Sequence, residues 1–137
     1  MQTILRILER AGGYRPTLCL KIENPPFMVL VIEATPEPGP LNLPAISVAH
    51  YGEQNGDLMR DPEMCFEIGT PEGEHPSAFY FRNDYLSVEQ WSRIVRDGRY
   101  IVHAELYRRH EEFARTWDRN LRAQGFLEAF TDKSIRG

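Results

Sequence analysis

The sequence predicts a single α+β domain over residues 1–137: an N-terminal helix, an antiparallel sheet of about five strands with one long β-hairpin, and two C-terminal helices packed on one face of the sheet. Three observations carry this reading. The first eleven residues repeat apolar side chains at helical spacing, residues 17–83 hold short runs of period two, and residues 87–126 return to the helical period. With 137 residues, 42% hydrophobic and 26% charged, the chain can bury one core without disulfide or metal staples.

In the first helix Ile4, Leu5, Ile7, Leu8 and Ala11 form the apolar stripe, and Gly12-Gly13 ends it, since glycine takes the left-handed conformation freely. Residues 17–23 alternate, with Leu18, Leu20 and Ile22 on one side and Thr17, Cys19, Lys21 and Glu23 on the other. Residues 27–34 are apolar on both faces and read as the most buried strand. Pro36, Pro38, Pro40 and Pro44 make residues 35–44 a surface connection. Strands at 45–51 and 63–68 flank Asn55-Gly56, the pair suited to a type I′ hairpin turn. Unbroken pairing across that turn would set Ile46 and Val48 on a face with Glu63 and Cys65. A bulge near Asp61-Pro62 restores a common apolar face with Met64, Phe66 and Ile68. A fifth strand, 77–83, follows the loop TPEGEHP and places Phe79 and Phe81 on one side.

Ser87-Val88-Glu89-Gln90 fits a capping box and opens a helix that buries Trp91, Ile94 and Val95 and breaks at Gly98. A longer helix, about 100–124, gathers Tyr100, Val102, His103, Leu106, Tyr107, His110, Phe113, Ala114, Trp117 and Leu121 on one face. Gly125-Phe126 closes it, with Phe126 packing back.

Sixteen basic against twenty acidic residues give a net charge of −4, which argues against a nucleic-acid coat. The distribution is uneven. Residues 1–88 hold 6 basic and 12 acidic side chains and residues 89–137 hold 10 and 8, so the acidic excess sits on strands and loops. The longest apolar run, residues 27–32, is far shorter than the roughly 20 residues a membrane helix needs. Cys19 and Cys65 lie singly among apolar residues and read as buried, reduced thiols, so a cytoplasmic protein is expected.

The densest polar cluster is HYGEQNGDLMRDPEM at residues 50–64. His50, Tyr51, Glu53, Gln54, Asn55, Asp57, Arg60, Asp61 and Glu63 are the candidate binding residues of the hairpin tip. Within them His50, Asp57, Asp61 and Glu63 are the alternative metal ligands of a hydrolase or nuclease. Alternation of faces on a two-stranded ribbon opposes convergence on one ion. A His50–Asp61 or His50–Glu63 hydrogen bond that fixes the hairpin register is the plainer expectation.

His103 and His110 are seven apart, and HExxH is absent. A homodimer built on Tyr100, His103 and Tyr107 is expected only if the sheet leaves that face uncovered. Arg108, Arg115, Arg119 and Arg122 form a stripe that the pairs Glu105–Arg109, Glu111–Arg115 and Asp118–Arg122 largely neutralise. Arg108 and Arg119 are the candidates for nucleic-acid contact. No GxSxG elbow, phosphate loop or GxGxxG fingerprint is present, and no cofactor is expected. Lys21 and Lys133 are the only lysines.

The stretches ISVAHYGEQNGDLMRDPEMCFEI, FYFRNDYL and WDRNLRAQGF resemble a domain-of-unknown-function family found on plasmids, integrative elements and phages and in large conjugation-associated proteins. The resemblance covers roughly residues 45–127 and implies an accessory protein of a mobile genetic element. The leading expectation is therefore a non-catalytic module that contacts another protein through its acidic strands and hairpin, with an anti-defence inhibitor as one form of it.

Overall fold

A computed structural model of the chain describes residues 1–69 and 75–137. Most of the expected loop TPEGEHP, residues 70–74, lies outside the described residues. The elements are α1 (Gln2–Arg10), β1 (Cys19–Ile22), β2 (Val29–Ala34), β3 (Ala45–Gln54), β4 (Asp57–Glu67), β5 (Ser77–Asn83), β6 (Val88–Trp91), β7 (Arg93–Arg96), β8 (Arg99–Val102), α2 (Ala104–Ala123) and α3 (Phe126–Ala129). The α+β class, the N-terminal helix and the long C-terminal helix are as the patterning implies.

Strands β1 to β6 form an antiparallel meander in sequence order, and β7 and β8 form a separate two-stranded sheet. The pairing runs through all six strands, with register shifts between Ala49 and Tyr51 in β3–β4 and between Cys65 and Phe66 in β4–β5. Leu20, Ile32, Val48, Met64, Phe81 and Gln90 make one cross-strand row. Helices α1, α2 and α3 cover this face. Ile4, Ile7, Leu8, Trp117, Leu121 and Phe126 pack on Leu20, Ile32, Val48 and Met64 in one core. Asp118 fixes the two long helices together, its carboxylate accepting from the Thr3 backbone N–H at 2.9 Å.

The hairpin turn is left-handed at Asn55 (φ 53) and Gly56 (φ 84), as a type I′ turn requires. The expected bulge is present. Tyr51 pairs with Arg60 and Ala49 with Glu63, so His50 alone faces both Asp61 and Pro62. Beyond it Val48 meets Met64 and Ile46 meets Phe66, the shared apolar face that the slip restores.

Several expectations of detail are corrected. The helix after Ser87 is β-structure: Ser87 takes a positive φ of 52 in the β5–β6 turn, and Trp91 is 52% exposed. Asp97-Gly98, also left-handed at both positions, closes the β7–β8 hairpin, so β-branched Ile94 and Val95 sit in a ribbon. The sheet consequently has six strands. The long helix starts at Ala104 with His103 as its cap, because Tyr100 and Val102 are consumed by β8. The most buried strand is β3, whose residues from Ala45 to His50 are all buried, whereas Phe27 and Met28 ahead of β2 are exposed. Strand β3 has neighbours on both edges and small residues, Ser47 and Ala49, on its second face. Cys19 is only half-buried, and both thiols are free.

Candidate functional site: the uncovered face of the sheet

All three helices lie on one side, so the opposite side of the six-stranded sheet has no helical layer. Two complete cross-strand rows mark it. One runs Cys19, Glu33, Ser47, Cys65, Tyr80 and Trp91, the other Lys21, Val31, Ala49, Glu63, Arg82 and Glu89. Ser47, Ala49 and Cys65 are small side chains at the centre of this face, and Tyr80, Arg82, Glu89 and Trp91 are long ones on the β5–β6 side. At one end Pro16, Glu33, Thr35, Pro36, Ser47, Glu63 and Cys65 line a cleft of about 490 Å³ with two carboxylates and no cation in its wall.

A polar chain crosses this face. Ser47 Oγ donates to Glu63 at 2.5 Å, and Arg60 reaches Glu63 at 3.2 Å and Asp84 at 3.8 Å. Arg82 binds Asp84 at 2.7 Å, and the Tyr80 hydroxyl donates to Glu89 at 2.5 Å. Hydrogen bonds from the Arg60 backbone N–H and the Arg82 side chain hold the Asp84 carboxyl below its usual range despite opposing desolvation. Burial, reinforced by the negative charge of Glu63, pushes the Cys65 thiol up to about 12. Cys65 is therefore a protonated floor residue and no nucleophile at neutral pH.

The hairpin residues expected to act together are divided by the bulge. His50 turns into the core, 5.6 Å from the Trp117 ring and 5.3 Å from Phe126, with Nδ1 3.1 Å from the Met28 carbonyl. Burial lowers its pKa. Asp61 accepts from Asn83 Nδ2 at 2.8 Å, and Glu63 is held by Ser47 and Arg60. Neither His50–Asp61 nor His50–Glu63 is formed among the described residues. Asp57, Glu53, Gln54 and Asn55 are exposed at the tip. No three histidine, cysteine or acidic side chains among the described residues could hold one metal ion together. Tyr51, Arg60 and Glu63 do join the uncovered face, with Arg60 5.8 Å over the Tyr51 ring.

The helical candidates are also redistributed. Arg109 reaches Glu105 at 3.4 Å as expected, and Arg108 bridges Glu105 and Glu112. Glu111 instead accepts from Tyr107 and contacts His75, and Asp118 caps α1. Tyr100 and Tyr107 turn towards Arg93, so the Tyr100–His103–Tyr107 face is partly consumed within the chain.

Arg93 and Glu67 were not legible as a pair. They meet at 2.7 Å with 2% and 0% side-chain exposure. Arg93 also donates to the Ala78 and Ser77 carbonyls and Tyr100, while Glu67 accepts from the Leu41 and Leu43 backbone N–H groups. The Asp97-Gly98 turn signal could have exposed β7 as a strand; nothing local marks Glu67.

A family model described as "Domain of unknown function (DUF6908)" matches residues 2–127. The chain belongs to this family. The DUF6908 match extends over the N-terminal helix, the proline-rich loop and the sheet, well beyond the stretch from residue 45 that carried the resemblance. No curated protein and no solved structure matches the chain. No helix among the described residues is long and apolar enough to cross a membrane.

Proposed function

We propose that this DUF6908 domain is a non-catalytic protein-interaction module that uses the uncovered sheet face and the projecting hairpin tip to bind a basic surface of a partner. One observation carries the reading: a six-stranded face without a helical layer, whose cleft is walled by Glu33 and Glu63. Asp84 and Glu89 beside that face and Glu53 and Asp57 at the hairpin tip add negative charge, against Lys21, Arg60 and Arg82. Such a surface complements a basic groove and competes there with nucleic acid. That is the chemistry of an inhibitor of a nucleic-acid-handling defence enzyme. The setting we assign is the bacterial cytoplasm, as an accessory protein of a mobile genetic element.

The test is affinity capture from a bacterial lysate with the full chain, then titration of the purified partner against variants. Glu33→Lys combined with Asp57→Lys is expected to weaken binding by about tenfold or more, with affinity falling as salt rises. A saturable partner whose affinity ignores both substitutions and salt, or the absence of any saturable partner, would overturn the reading.

A further inference from the structure

The two lysines of this acidic chain, 112 positions apart, lie in one cleft at the β1 edge. The terminal segment builds it. Ile135 bridges to Leu20, and the Arg136 backbone N–H donates to the Cys19 carbonyl at 2.8 Å, so the segment continues the sheet edge. Lys21 projects from the uncovered face of β1 and meets Lys133, Arg136, Thr131 and Ser134 around a space of about 220 Å³, with Glu23 as the one acidic member. None of the three cations forms an ion pair among the described residues.

A second observation is independent of charge. Ser134 is 6% exposed, and its Oγ accepts from the Thr131 backbone N–H at 3.1 Å. Thr131 Oγ1 in turn accepts from the Lys133 backbone N–H at 3.2 Å. Each hydroxyl thus spends an acceptor lone pair on the backbone and keeps its own O–H, for which no acceptor is found among the described residues. A buried hydroxyl that has yet to donate, facing a cleft with three cations, matches a ligand that only accepts hydrogen bonds and carries negative charge.

We infer that this cleft binds a phosphate-type oxyanion, with Lys21, Lys133 and Arg136 supplying charge and Thr131 and Ser134 supplying hydroxyl donors. The site stands apart from the Glu33–Glu63 cleft, and Lys133 and Arg136 lie outside the family match at 2–127.

The probe is inorganic phosphate, titrated calorimetrically into the full chain in a phosphate-free buffer, with chloride at equal ionic strength as control and phenyl phosphate as a second arm. Saturable binding of phosphate beyond chloride is expected. Equal binding of phenyl phosphate identifies the phosphate group as what is read, and binding of inorganic phosphate alone identifies the free ion. Lys21→Gln, Lys133→Gln and Ser134→Ala are each expected to weaken binding by about tenfold, whereas Arg119→Gln on exposed α2 leaves it unchanged. Because Ser134→Ala also removes the acceptor of the Thr131 backbone N–H, the exposed Lys21→Gln carries the decision. No saturable phosphate binding, or binding that Lys21→Gln and Lys133→Gln leave intact, overturns the inference.

Discussion

His110 shows how a single side chain of the fold responds to pH. It is buried between α2 and β6, 2.9 Å from Ser92 Oγ and 3.0 Å from Gln90 Oε1, and stacks on Phe81 with ring centroids 5.7 Å apart. A neutral ring satisfies both partners, with Nε2–H donating to Gln90 and Nδ1 accepting from Ser92. Burial lowers its pKa to about 4, and burial lowers that of His50 as well. The unfolded chain therefore binds more protons than the native one between the ordinary histidine value near 6.5 and about 4. Stability is full above that window and falls as pH drops through it. The urea midpoint is expected to fall between pH 7 and pH 5, and His110→Gln is expected to flatten that dependence. A midpoint equal at both values would refute it.

At the scale of elements, the Glu67–Arg93 pair decides where the β7–β8 hairpin sits. A two-stranded hairpin is marginal in water by itself, and this one exposes Val95, Ile101 and Val102. Its first residue anchors it, because Arg93 bonds β5 carbonyls and the β4 carboxylate while Phe79, Tyr100 and Tyr107 surround the guanidinium. The same carboxylate holds the proline-rich loop, where a Cβ on Gly39 would stand 2.0 Å from Glu67 Cγ. Glu67→Ala is expected to cost about 3–5 kcal/mol in chemical denaturation, since it strands a buried cation. The joint replacement Glu67→Met with Arg93→Met is expected to recover most of that loss. A cost for the single variant no larger than that of an exposed pair, below about 1 kcal/mol, would contradict this account.

For the whole molecule, all three helices lie against one face of the sheet, and the bulge at Asp61-Pro62 partitions the hairpin between the two faces. It sends His50 to the core and leaves Glu63 on the open side. Calorimetric titration with Mn²⁺ or Zn²⁺ is accordingly expected to show no saturable binding. Saturable heat that disappears in Asp57→Ala and Asp61→Ala would reinstate the metal-dependent alternative.

Period and punctuation were enough for much of this architecture. The glycine pair after α1, Asn55-Gly56, the apolar conflict that demanded a bulge, and β5 are consequences of local conformational preference and of alternation along a strand, and both are written in consecutive residues. The stretch from Ser87 to Val102 carries a helical signal although it is β-structure, because a capping-box pattern and a β-turn use the same polar residues. Its short strands hold too few residues for their period to outweigh that pattern. Tertiary structure alone decided the rest. Glu67 and Arg93, and Lys21 and Lys133, are neighbours only because sheet order and the returning C-terminal segment bring them together. Which sheet face lacks a layer depended on all three helices choosing the same side. Charge, exposure and partnership are properties of that arrangement, so the candidate sites became readable only when the chain was folded.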